Sequence, residues 1–115
     1  MTLPEISDLR NDGRRATMRL ALAADAEVFR GHFPARPVLP GVVQIDWAMR
    51  LAVRCFDIAE PAADDFQVKF SRIIEPGMDL LLTLELDAAR QRLSFEYRAN
   101  GQIMSSGRVK LERSP

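Results

Sequence analysis

Residues 29–46 read Phe29-Arg30-Gly31-His32-Phe33-Pro34-Ala35-Arg36-Pro37-Val38-Leu39-Pro40-Gly41-Val42-Val43-Gln44-Ile45-Asp46. The run holds the only histidine of the chain and three prolines at a spacing of three, then a Pro-Gly and an acid beyond it. Each proline fixes its own φ and drives the residue before it, here Phe33, Arg36 and Leu39, out of helical geometry. The segment therefore reads as a stiff extended arm. It ends at Pro40, a residue suited to a helix start because it has no N–H to leave unpaired.

Downstream of that arm the spacing predicts a helix from Gly41 to about Phe56. Val42, Val43, Ile45, Trp47, Ala48, Met49, Leu51, Ala52, Val53, Cys55 and Phe56 cover most of its circumference. A helix apolar on nearly every side is expected to be buried. Its polar stripe is Asp46, Arg50, Arg54 and Asp57. The single cysteine, Cys55, reads as a packed apolar residue on this helix.

The remainder alternates with period two, the signature of half-buried strands. Met18, Leu20 and Leu22 share a face before the arm. After the helix come Phe66, Val68 and Phe70, then Leu80, Leu82, Leu84 and Leu86, then Leu93, Phe95 and Tyr97, and finally Ile103, Val109 and Leu111. Glu75-Pro76-Gly77 and Asn100-Gly101 are turn signals, the second favouring a two-residue hairpin. The strand spacing implies an antiparallel meander. Neither repeat nor linker is visible, so one domain spanning 1–115 is expected.

Composition narrows the function classes. Sixteen bases balance sixteen acids in 115 residues, which argues against nucleic-acid binding. No apolar stretch approaches the roughly 20 residues of a membrane span, and the N-terminus lacks a signal-peptide pattern. One cysteine cannot close an internal disulfide, which fits a reducing cytoplasm. No metal-ligand cluster or nucleotide loop is seen, so no protein-bound metal or cofactor is expected.

The 29–46 run resembles the active-site segment of the FabA/FabZ-type β-hydroxyacyl-acyl carrier protein dehydratases. Their pattern is Gly-His-Phe-Pro-x-x-Pro-x-x-Pro-Gly-Val-x-x-x-acid, and Gly31-His32-Phe33-Pro34, Pro37, Pro40-Gly41-Val42 and Asp46 supply every fixed element. Val43-Gln44-Ile45-Asp46-Trp47-Ala48 looks most like the small dehydratases of aryl-polyene biosynthesis. The resemblance implies an α+β hot-dog fold, in which a curved antiparallel sheet wraps round one long central helix. It implies a lyase that dehydrates 3-hydroxyacyl thioesters to trans-2-enoyl thioesters, with the substrate carried on the phosphopantetheine of an acyl carrier protein. A homodimer is expected from it, with His32 of one chain facing Asp46 of the other; a heterodimer with another hot-dog protein is the alternative assembly.

The residue types suit that chemistry. Removing a C2 proton and expelling a C3 hydroxyl needs a base, an acid and a donor to the thioester oxygen. His32 is largely neutral at pH 7 and can act as the base. Gly41 offers a backbone N–H at a helix start without a side chain in the way. Asp46 can donate to the leaving hydroxyl or orient a water for it. The family pattern assigns the same roles, adds Val38 as the carbonyl that holds the His32 ring, and packs Phe33 beneath the base. It also suggests a cis peptide at His32–Phe33, a bond that costs about 2.5–4 kcal/mol and persists only under constraint.

Each residue also has a plain structural reading. A lone histidine near a loop is usually a packing or surface residue, Asp46 could be one more charge on a helix stripe, and Pro40-Gly41 is first a helix start. Trp47 and Met49 read as core or tunnel wall. Arg10, Arg14, Arg15, Arg30 and Arg36 read as solvated surface, with some of them candidates to meet an acidic carrier. Two positions depart from the family pattern. Ala35 replaces a common Gly, and Arg50 stands where a neutral Gln is usual. Arg50 would stabilise the Asp46 carboxylate from one turn away, which favours water positioning over proton donation. Two other functions share the fold: a thioesterase, which needs no C2 base, and a non-catalytic partner subunit.

Overall fold

The computed structural model describes residues 3–23, 29, 37–58 and 65–111. In chain order the elements are β1 (Glu5–Asn11), β2 (Arg15–Ala21), α1 (Gly41–Phe56), β3 (Phe66–Phe70), β4 (Asp79–Asp87), β5 (Arg92–Ala99) and β6 (Gln102–Lys110). The six strands form one sheet in the order β1-β2-β4-β5-β6-β3, every pair antiparallel. The helix packs on one face of the sheet, which is the hot-dog arrangement.

The alternating leucines explain that face. Met18, Leu20, Leu80, Leu82, Leu84, Leu93, Phe95, Tyr97 and Val109 point inward and are almost wholly buried. They meet Val43, Trp47, Ala48, Leu51 and Ala52 of α1. Each buried Leu or Phe is worth about 1.5–3 kcal/mol over leaving it in water, so this interface carries the fold. The C-terminal end of the helix is tied down twice. Asp57 adopts a left-handed φ of 50° and its N–H bonds the Val53 carbonyl. The Asn11 carboxamide of β1 donates to the Cys55 carbonyl at 2.7 Å. Cys55 is half-buried, and burial pushes its thiol pKa up.

Three features differ from the sequence reading. The meander fails at β3, which pairs with β6 at the far edge of the sheet while β2 runs beside β4. Periodicity identifies a strand and its face, not its neighbour, and the helix lies between β2 and β3 in the chain. Second, β1 is an additional edge strand; its register shifts between Ser7 and Arg10, with Asp8 at φ 53°, a bulge. Third, Ile103 is exposed and Met104 is buried instead. The register slips by one residue there, with Tyr97 opposite Ser105 but Arg98 opposite Ile103.

The Asn100-Gly101 signal holds. Both residues have positive φ, 52° and 74°, and they close the two-residue turn between β5 and β6. The helix is less completely covered than its composition implies. Val42 is 73% exposed, and Met49 and Val53 are half-buried. No helix among the described residues is long and apolar enough to cross a membrane.

Candidate active site

Pro40 is the N-cap of α1, in extended geometry with φ −61° and ψ 144°, and no side chain caps the helix. Its carbonyl accepts the N–H of Val43 at 3.1 Å and of Gln44 at 3.2 Å. Among the described residues, the N–H groups of Gly41 and Val42 have no acceptor. No acid lies in the first turn to use them. Two donors without a partner among the described residues, at the positive end of a 16-residue helix, form a position suited to developing negative charge.

The arm that leads into this turn is pinned. The Leu39 N–H donates to the Ile74 carbonyl at 2.8 Å, and the Gln44 carboxamide donates to the Leu39 carbonyl at 3.1 Å. The loop that supplies Ile74 is held in turn, because Ser71 and Arg72 both donate from their backbone to the Met104 carbonyl. Val38, Gly41, Gln44, Phe70 and Arg72 line a cavity of about 340 Å³ beside the helix start. The structure thus brings together two sequence-expected residues, Val38 and Gly41, on one cavity. His32 and Phe33, and with them the expected cis bond, lie outside the described residues.

Asp46 does not line that cavity. It sits five residues beyond Gly41, which rotates it well away around the helix. Its side chain is 44% exposed and pairs with Arg50 at 3.4 Å. An exposed i,i+4 pair contributes only a few tenths of a kcal/mol, so the contact matters for where the carboxylate points more than for stability. Beside it, Trp47 is buried, and its indole N–H has no partner among the described residues.

The Tyr97 hydroxyl, fully buried under the helix, donates to the Gln44 carbonyl at 2.7 Å. Burial, and secondarily the nearby Asp46 charge, push its pKa well above the usual phenol value, so it stays protonated. Gln44 and Ser105 are the site residues that sequence reasoning missed. Gln44 sits amid an apolar run and is only 4% exposed, and its partner Ser105 is fully buried 61 residues away. A larger groove of about 460 Å³, lined in part by Lys69, Glu85, Glu96 and Arg108, holds none of the expected site residues.

Comparisons with known proteins agree with one another. The model of the ApeI-like family, described as ApeI dehydratase, matches residues 8–108. A 3-hydroxyacyl-[acyl-carrier-protein] dehydratase FabZ from Albidiferax ferrireducens is 32% identical over 94 residues, covering 73% of this chain and 62% of the relative. The FabZ of Janthinobacterium sp. is 31% identical over 110 residues, 87% of this chain and 69% of that one. The chain therefore spans less than two thirds of the first relative's length. Among solved structures, the dehydratase heterocomplex ApeI:P of Xenorhabdus doucetiae superposes with a TM-score of 0.85 at 33% identity, covering 97% of this chain and all of the other.

Proposed function

From the chain's membership of the ApeI-like dehydratase family, we propose that it dehydrates 3-hydroxyacyl thioesters on acyl carrier protein to trans-2-enoyl thioesters. The observation that carries this reading is the uncapped start of α1. The N–H groups of Gly41 and Val42 there have no partner among the described residues, and they lie beside a cavity that the Val38 arm also lines. In the proposed reaction the substrate thioester oxygen lies against the Gly41 N–H. His32, held through the Val38 carbonyl, takes the C2 proton as negative charge grows on that oxygen. The electron pair left at C2 forms the new double bond and expels the C3 hydroxyl. Asp46, directly or through a water it orients, supplies the proton with which that hydroxyl leaves as water. The chain acts as one domain, in the cytoplasm, and needs no bound metal or cofactor of its own.

The site is completed by a second hot-dog chain. Asp46 lies off the Val38–Gly41 cavity, on a helix side where Val42 is exposed and Met49 and Val53 are only half-buried. The free edge of β3 carries exposed Phe66 and Phe70, as a strand awaiting a neighbour does. A second copy of this chain is the proposed neighbour. The ApeI:P complex supports a different hot-dog chain in that place as the second reading.

Mass spectrometry of the carrier species after incubation with 3-hydroxyacyl-carrier tests the activity. Loss of one water supports the lyase. Release of free acid would instead identify a thioesterase, and no change would identify a subunit that needs a different partner.

A further inference from the structure

We propose that Gln44 is a positioning residue: its carboxamide fixes the arm–helix junction so that the Val38 carbonyl and the Gly41 N–H are presented in register. This rests on the reading of Val38 and Gly41 given above.

Three consecutive peptide planes connect Val38 to Gly41, and each is held by one hydrogen-bonded group. The plane shared by the Val38 carbonyl and the Leu39 N–H is held through Leu39 N–H to the Ile74 carbonyl, 2.8 Å. The Leu39–Pro40 plane has no N–H, so only its carbonyl can be held. The Gln44 Nε2 holds it at 3.1 Å. The plane shared by the Pro40 carbonyl and the Gly41 N–H is held by the backbone N–H groups of Val43 and Gln44. Gln44 therefore contributes to two of the three planes, and among the described residues its side chain alone holds the middle one.

The other end of the carboxamide is equally committed. Gln44 Oε1 accepts from Ser105 Oγ at 2.7 Å, and Ser105 is fully buried on β6. The Gln44 carbonyl accepts from Tyr97 on β5. A carboxamide buried at 4% exposure costs free energy unless both ends are paired. Here both are, so the side chain forms a brace from the sheet to the arm. An apolar side chain of the same length would fill the space but leave the Leu39 carbonyl unheld.

The test is Gln44→Met, which keeps length and apolar packing while removing the brace. Misplacing a transition-state donor by a fraction of an ångström to an ångström costs one to two orders of magnitude in rate. We expect kcat to fall about tenfold to a hundredfold while KM moves less than about threefold, the split of an interaction realised in the transition state. Ser105→Ala, which acts only through Gln44, is expected to lower kcat by several-fold, about three to ten. The double variant is expected to be no slower than Gln44→Met alone, because the two residues form one unit.

Wild-type kcat in a folded Gln44→Met protein overturns the proposal, as does strict additivity of the two substitutions. Should Gln44→Met fail to fold, Ser105→Ala decides: a wild-type kcat there overturns the proposal. His32→Ala and Asp46→Asn serve as controls for the underlying reading. Full activity in both would remove the dehydratase site itself, whatever Gln44 does.

Discussion

The Phe70 ring occupies the space where residue 41 would carry a side chain: a Cβ built on Gly41 would stand 2.6 Å from Phe70 Cζ. A side chain at this helix start would therefore displace the Phe70 ring of β3. Phe70 is 53% exposed, so its ring has room to swing aside.

That contact makes Gly41→Ala a probe of the site more than of the fold. Helix propensity favours Ala by up to about 1 kcal/mol, and displacing a half-exposed ring offsets part of this. Stability should change by less than about 1 kcal/mol in a denaturant titration. Dehydration should nevertheless slow by about tenfold or more, because the new methyl and the displaced ring intrude on the Gly41 N–H. Full activity in Gly41→Ala would argue that substrate does not approach this turn.

Tyr97 gives a prediction about alkaline pH. It is the chain's only tyrosine, and burial together with the Asp46 charge raises its pKa. In the unfolded chain the phenol titrates near its ordinary value of about 10. The folded state thus keeps a proton that the unfolded state loses above that pH. The resulting stabilisation is fully present below about pH 10 and is lost as pH rises beyond it. An absorbance titration should show no tyrosinate until the protein unfolds, with both signals changing together. Tyrosinate formed in a still-folded protein would contradict the Tyr97–Gln44 hydrogen bond.

These residues also mark where sequence was sufficient. The bounds of α1 were legible because Pro40 and the apolar run are local signals, and the Asn100-Gly101 turn was legible for the same reason. Strand β1 was not, since its residues are nearly all exposed and a bulge at Asp8 breaks any alternation. The place of β3 depends on pairing with β6, from Phe66 opposite Val109 to Phe70 opposite Ser105, which no local pattern encodes. The motif marked Val38, Gly41 and Asp46 as candidates; of these, Val38 and Gly41 line one cavity and Asp46 lies off it. Gln44 was not marked, because its meaning comes from Ser105 and Tyr97, which reach it only through the folded sheet.

The uncovered edge of β3 predicts assembly. Phe66 is 42% exposed and Phe70 53%, and an open strand edge with apolar side chains invites a partner strand. The wild-type mass in solution should be at least that of two chains. Phe66→Glu, distant from the helix start, should weaken it and give single chains at low concentration. Light scattering on a sizing column reads this directly. A monomeric wild type would contradict the two-chain site.

Complementation tests whether the two halves of the site come from different chains. His32→Ala and Asp46→Asn homodimers should each be inactive. Subunits exchanged between them should regain about one working site per mixed dimer. No recovery after exchange has been verified by native mass spectrometry would place both residues in one chain's site.

The most direct measurement compares wild-type and His32→Ala chains on a 3-hydroxyacyl-carrier substrate, following loss of water from the carrier-bound acyl group. Removing a positioned general base is expected to slow the reaction at least about 100-fold, with circular dichroism and the thermal midpoint unchanged. A folded His32→Ala protein that dehydrates at most of the wild-type rate would contradict the account.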